Sequence, residues 1–336
     1  MIRLGVIGYG YWGPNLVRNF AETKGVEVRA ICDLDPQRRA LVHARYPALR
    51  TLGEAAELID DPQVDAVAIA TPVSSHHDLA LRALRAGKHV LVEKPLVATV
   101  DQGRRLVEEA DRAQRVLMVD HTFVYTGAVR RIRALTEEGA LGRIYYYDSV
   151  RVNLGLFQHD VSVLWDLAVH DISIMDYLLA SKPVAVSATG MSHLAGQPEN
   201  VAYVTLFFAD DRVAHVHVNW LAPVKIRRTL IGGSQKMIVY DDLEPSEKVK
   251  VYDKGVTMNE PPEGVYQMRV GYRTGDMWAP KLDTAEALRV EAEDFVRAVE
   301  TGKPPVSDGL SGLRVVEILE AATQSMAARG RPVELT

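Results

Sequence analysis

The first 120 residues alternate short apolar runs with amphipathic stretches. The runs at 2–7, 26–31, 66–70, 89–92 and 116–119 are brief and rich in Val, Ile and Ala, which suits buried strands. Between them, apolar positions recur at helical spacing over 13–23, 36–45, 75–86 and 101–114. Strands that are apolar on both faces and separated by helices predict a parallel sheet covered on both sides. Right-handed crossovers then leave a doubly wound fold as the natural solution.

After residue 122 the rhythm changes. A helical pattern over 126–138 passes through Gly139 and Gly142 to an extended run at 144–152, and a longer helix follows at 162–180. Two-residue alternation then marks strands at 183–191, 201–208, 212–220, 226–232 and 236–240. Consecutive strands of this kind predict an antiparallel or mixed sheet, largely open, with one face under helix 162–180. Residues 241–283 are rich in Pro, Gly and charge and read as mostly loop, and helices at 285–300 and 309–328 close the chain. The expected organisation is α/β. A Rossmann domain spans 1–122, and an α+β domain with a large, mostly antiparallel sheet spans 123–336.

Composition narrows the classes of function. Hydrophobic residues make up 47% and charged residues 25%, so a packed core is expected rather than disorder. The net charge is −5 and no basic run occurs, which argues against nucleic acid as a partner. No uncharged stretch has bilayer-spanning length, so no membrane segment is expected. The single cysteine, Cys32, lies in an apolar run and excludes an internal disulfide. The N-terminus lacks the long apolar core of a signal peptide, and the expected compartment is the cytoplasm.

Candidate chemistry begins at the first strand–helix turn, Gly8-Tyr9-Gly10-Tyr11-Trp12-Gly13-Pro14-Asn15. Glycines at this spacing suit a dinucleotide: Gly8 for the tight turn, Gly10 for close approach of a pyrophosphate, Gly13 for helix–strand packing. Pro14 suits the first helical turn, and the helix amides would face the phosphates. The second strand ends at Asp33, about twenty residues beyond Gly13, where a carboxylate accepts hydrogen bonds from ribose hydroxyls and repels a 2′-phosphate. NAD is therefore expected over NADP. Arg38 nearby either stacks on adenine or is a solvated helix residue.

Two further segments carry a resemblance. The run Ala70-Thr71-Pro72-Val73-Ser74-Ser75-His76 and the run Lys88-His89-Val90-Leu91-Val92-Glu93-Lys94-Pro95 resemble the Gfo/Idh/MocA oxidoreductases, over essentially the whole chain. Lys94 follows a strand's carboxyl end, the edge where doubly wound sheets bind ligands. Pro95 biases its backbone away from helix. An ammonium there can orient an alcohol and stabilise charge developing on its oxygen.

In the longer helix, Leu164-Trp165-Asp166-Leu167-Ala168-Val169-His170-Asp171-Ile172, the residues Asp166 and His170 are four apart and share a face. An imidazole can take the alcohol proton. The resemblance implies that His170 is the general base, Asp166 its partner and Lys94 the hydroxyl-binding group. It also implies cofactor contacts from Gly8, Gly10, Tyr11, Trp12, Gly13, Asp33, Arg38, Thr71, Pro72, His76, Glu93 and Lys94, and a cis Lys94–Pro95 bond. For His76 a capping role is the alternative.

Other signals are weaker. His215 and His217 share a strand face but lack a third and fourth ligand, so no metal is expected. Tyr145, Tyr146 and Tyr147 read as sheet packing. Arg269, Tyr272, Arg273, Trp278 and Lys281 are candidates for an anionic substrate group. The glycine turn and the stretch Asn153-Leu154-Gly155-Leu156-Phe157 resemble members acting on nucleotide-activated sugars, such as UDP-N-acetylglucosamine and UDP-N-acetylglucosaminuronate 3-dehydrogenases. The alternatives are an inositol or free-sugar dehydrogenase, a keto-sugar reductase with His170 as acid, or a non-catalytic dinucleotide sensor. Apolar residues on both faces of the later strands predict a homodimer or homotetramer.

Overall fold

The opening alternation becomes β1 (Ile2–Ile7), α1 (Gly13–Glu22), β2 (Val26–Cys32), α2 (Pro36–Arg45), β3 (Arg50–Leu52), α3 (Ala55–Ile59), β4 (Ala66–Ile69), α4 (His76–Arg85), β5 (His89–Glu93), α5 (Val100–Ala113) and β6 (Leu117–Asp120). All six strands run parallel, in the order β3-β2-β1-β4-β5-β6. β3 and α3 are too short to stand out in the sequence. Every residue of β4 is fully buried, as expected for a strand covered on both faces. The computed structural model describes residues 1–155, 161–179, 181–258 and 270–335.

The second half continues with α6 (Gly127–Glu137), β7 (Ile144–Leu154), α7 (Val169–Leu178), β8 (Ala185–Met191), β9 (Val201–Phe207), β10 (Val213–Asn219), β11 (Leu221–Gly233), β12 (Met237–Asp241), β13 (Val249–Met258) and β14 (Val270–Trp278). Helices α8 (Ala287–Thr301) and α9 (Gly309–Ala327) and the short β15 (Val333–Glu334) follow. Among the described residues the second sheet has nine strands, in the order β14-β13-β12-β11-β7-β10-β9-β8-β15, with one parallel pair, β10 against β7.

Two expectations change. The described residues of 241–283 are not mostly loop, because β13 and β14 extend the sheet as an antiparallel pair. Val249 and Val251 are fully buried, and the surrounding charge hides this two-residue period. The closing helices also divide differently from a 122/123 boundary. The chain separates into Met1–Thr126 with Ala285–Glu320, and Gly127–Thr284 with Ala321–Thr336. Helix α8 belongs to the first unit because Phe295 packs edge-on against Phe20 at 6.0 Å and Glu286 pairs with Arg18.

On the nine-stranded sheet Ala214, Val216 and Val218 are buried while His215 and His217 lie on the opposite face. There Tyr203 stacks on His217 at 4.4 Å and His215 meets Asp148 at 3.4 Å. Of the three consecutive tyrosines, Tyr147 is buried, its hydroxyl donating to the Asp171 carbonyl at 3.1 Å, and Tyr145 is exposed. Burial pushes the Cys32 thiol up to about 11, which keeps it protonated and inert. Among the described residues no helix is long and apolar enough to cross a membrane, and no group of His, Cys, Asp and Glu could hold a metal ion.

Candidate active site

In the first unit the glycine turn leaves β1 with Gly8 at φ +96°, a conformation that L side chains rarely adopt. A Cβ on Gly8 would overlap the Ala70 carbonyl oxygen, and one on Gly13 would overlap the Gly8 carbonyl oxygen. These two glycines are required by the protein's own backbone. Gly10 is different: a Cβ there would meet only the tip of Arg38, at 3.5 Å. The open side of Gly10 is where a pyrophosphate would approach. Helix α1 starts at Gly13, with Trp12 at its cap, Pro14 in its first turn and no acidic residue there. Tyr11 is exposed and lies edge-on to the Trp12 ring at 5.5 Å.

Asp33 couples this turn to the second strand. Its Oδ2 accepts from the Tyr9 amide at 2.7 Å and its Oδ1 from the Asp35 amide at 2.8 Å. Each oxygen retains capacity for a further donor, so the carboxylate can hold the turn and receive ribose hydroxyls. Arg38 is half-exposed and reaches Asp33 at 3.6 Å and Asp35 at 3.7 Å. It is a charge partner of the carboxylate on the rim of the turn. The turn, the dipole of α1 and Asp33 together fit a dinucleotide carrying a free 2′-hydroxyl.

Thr71 and Pro72 follow β4, and Lys94 and Pro95 follow β5. The Lys94–Pro95 peptide is cis, as the resemblance implies. His76 departs from the expected cofactor contact. It is buried, with Nδ1 facing the Pro95 carbonyl at 2.9 Å and Nε2 facing the Thr71 carbonyl at 2.8 Å. Each ring nitrogen faces a backbone carbonyl, and the neutral ring donates to one of the two, so His76 sits between the turn after β4 and the turn that carries Lys94. Burial lowers its pKa. The Thr71 hydroxyl accepts from Ser75 at 2.7 Å.

Behind Lys94 lies a group that the sequence reading missed. Glu93 ends β5 opposite Asp120 at the end of β6, and Glu291 comes from α8. All three residues are buried, and Asp120 acts electrostatically on both glutamates. Like charges buried near one another favour the protonated form. Burial and the neighbouring Asp120 raise the pKa of Glu93 and of Glu291 well above the usual range. His121, next after Asp120, is also buried, and neither ring nitrogen has a hydrogen-bond partner among the described residues. The position of Asp120 and His121 at a strand's carboxyl end is a signal that could have flagged them. Glu291 sits in a distant helix and had none.

In the second unit, Asp166 lies in a π-helical turn, Leu164–Ala168, that runs directly into α7. Such turns recur at functional sites. Asp166 and His170 are both half-buried. Asp171 is turned the other way, into a buried ion pair with Arg151 of β7, with Nε–Oδ2 at 2.6 Å. With Tyr147 donating to the Asp171 carbonyl, this pair pins the first turn of α7 to the sheet and fixes where His170 points. Trp165 is tied by its indole N–H to Thr323 at 3.0 Å. Tyr177 packs under the Arg133 guanidinium at 5.2 Å. Among the candidates for an anionic group, Arg273 pairs with Asp253 at 2.9 Å and Tyr272 is exposed. Leu156, Phe157 and Arg269 lie outside the described residues.

Both halves of the chain are similar to known proteins. The model of an oxidoreductase family with an NAD-binding Rossmann fold matches residues 2–121, and that of the GFO/IDH/MocA C-terminal domain matches residues 129–239. The chain is 31% identical over 263 residues to the uncharacterized oxidoreductase YdgJ of Escherichia coli K12, covering 74% of this chain and 73% of that protein. It is 28% identical to the UDP-N-acetylglucosamine 3-dehydrogenase of Acidithiobacillus ferrooxidans, over 97% of each chain. The crystal structure of GenD2 from gentamicin A biosynthesis in complex with NAD aligns with a TM-score of 0.83 at 25% identity, covering 100% of this chain and 96% of its own. A glycine turn suited to a dinucleotide, a lysine at the carboxyl end of another strand of the same sheet and matches along both halves have one reading: the chain belongs to the Gfo/Idh/MocA family of NAD-binding oxidoreductases.

Proposed function

We propose that this protein oxidises a hydroxyl carbon of a sugar, and that the substrate is nucleotide-activated, with reaction at C3 of UDP-N-acetylglucosamine or its uronate. The observation that carries the chemistry is the placement of Lys94. It follows β5 at the ligand-binding edge of the parallel sheet, where the His76 ring faces the Pro95 carbonyl next along the chain. NAD, when bound, supplies the hydride acceptor. Gly8, Gly10, Tyr11, Trp12, Gly13, Asp33, Thr71, Pro72 and Glu93 line the edge that would hold it, and Asp33 favours NAD over NADP.

Lys94 binds the alcohol oxygen and stabilises the negative charge that develops as the carbon–hydrogen bond breaks. His170 takes the hydroxyl proton as general base. Asp166, one turn earlier, orients that imidazole and stabilises its protonated form. The nucleotide-sugar assignment is supported by the Tyr-Gly-Tyr-Trp-Gly-Pro-Asn turn and by similarity to the Acidithiobacillus ferrooxidans enzyme along nearly the whole chain. A homodimer or homotetramer is supported by the open face of the nine-stranded sheet, where Tyr203, Phe207 and Val213 are exposed.

Reduced-nicotinamide absorbance with UDP-N-acetylglucosamine, its uronate, free sugars and inositols tests the reading. The expected result is turnover of the UDP-sugars, lost by about a hundredfold or more in Lys94→Ala and His170→Ala. Turnover of inositols alone would refute the substrate class, and full activity of either variant would refute its assigned role.

A further inference from the structure

We propose that His121 is a substrate-binding residue, whose imidazole exchanges hydrogen bonds with a hydroxyl of the bound sugar beside the one that Lys94 holds. The assignment rests on the reading of Lys94 given above. Its ground is a pair of orphaned atoms. The residue is 2% exposed, yet neither Nδ1 nor Nε2 has a hydrogen-bond partner among the described residues. Buried polar side chains are nearly always matched, so an unmatched one in a native protein calls for a role.

The sheet places that ring at the chemistry. Glu93 and Asp120 are register partners at the ends of β5 and β6, so Lys94 and His121 leave the carboxyl edge side by side. Burial, and then the Lys94 charge, hold the imidazole pKa down to about 3. Both effects favour the neutral ring, which offers one donor and one acceptor. A hydroxyl group returns that pattern in full, being itself donor and acceptor.

Strand order assigns the partner to the sugar rather than to the cofactor. The glycine turn follows β1, Lys94 follows a strand two places away, and His121 follows a strand three places away. At roughly 4.8 Å per strand, His121 lies about 14 Å from the dinucleotide turn along the sheet, one strand beyond Lys94. A group on the far side of Lys94 from the pyrophosphate faces what Lys94 binds.

The test compares wild type with His121→Phe and His121→Asn. NAD binding is followed by tryptophan fluorescence. Turnover and calorimetric binding are measured on the NAD-loaded enzyme with UDP-N-acetylglucosamine and with scyllo-inositol. The Phe variant is expected to melt no lower than wild type at neutral pH, to bind NAD unchanged, and to lose about tenfold in kcat/KM through KM. The Asn variant, which keeps a donor and an acceptor, is expected to recover most of that loss. Weakened NAD binding would assign the ring to the cofactor and overturn the proposal. An unchanged kcat/KM in His121→Phe would also overturn it, as would an equal loss in both variants accompanied by lower stability. Failure of wild type to bind or turn over either sugar counts against it as well. A failure of the Lys94 reading shows separately, as full turnover in Lys94→Ala.

Discussion

The buried pair of Arg151 and Asp171 offers the sharpest energetic test, because it joins the helix of His170 to the sheet. Both side chains are 4% exposed, with Nε–Oδ2 at 2.6 Å and a second contact at 3.4 Å. Removing one member of a buried ion pair costs about 3–5 kcal/mol, because the remaining charge stays desolvated. Asp242 also acts on Arg151 and softens the loss, so Asp171→Ala is expected at the lower end, about 3 kcal/mol. For a unit of this size that is a fall of about 6–12 °C in melting temperature. Three of the four tryptophans, Trp165, Trp220 and Trp278, lie in the second unit, so tryptophan fluorescence during thermal or urea unfolding reports on the right part of the chain. The double variant Arg151→Met/Asp171→Leu replaces the pair by apolar side chains. It should regain most of the stability, since isosteric apolar replacement of buried ion pairs is often neutral or better. A loss below about 1 kcal/mol in Asp171→Ala, or a double variant as unstable as the single, would show that the pair does not anchor α7.

Two further outcomes follow from the first unit. Asp33→Ala removes the acceptor shared by the Tyr9 and Asp35 amides and the carboxylate that faces the ribose. NAD binding measured by calorimetry should weaken about tenfold or more, and the preference over NADP should shrink. Unchanged affinity and selectivity would refute its role. The second concerns acid. His121 has its pKa depressed to about 3, while an unfolded histidine titrates near 6.5. The unfolded chain therefore binds more protons below neutrality, so this contribution is complete above about pH 6.5 and is lost as pH falls toward 3. Between pH 7 and pH 5 the stability of wild type relative to His121→Phe should fall by about 2 kcal/mol. Taking the difference between the two proteins cancels the opposite trend of Glu93 and Glu291, whose raised pKa values favour the fold at lower pH. A gap that does not change with pH, read from urea midpoints, would refute the depressed titration.

Much of the first unit was legible along the chain because its determinants are local. The period of the apolar residues distinguishes strand from helix, and Gly8 and Gly13 meet backbone within a few residues or on the adjacent strand. Lys94 needs only the end of its strand and the proline that follows. The Asp166–His170 spacing was equally readable, although the π-helical turn that holds Asp166 was not, since nothing in Leu164–Ala168 marks a wider winding.

What tertiary structure alone decided are the relations between residues far apart in sequence. The charged stretch 241–283 yields β13 and β14 because sheet edges supply hydrogen-bond partners that local propensity cannot show. Glu291 joins Asp120 only because α8 returns to the first unit, and Arg151 meets Asp171 only because β7 lies beneath α7. His76, Glu93 and His121 acquire their properties in the same way. A buried polar group is governed by which partners the fold brings to it and which it withholds, and those partners stand on other strands.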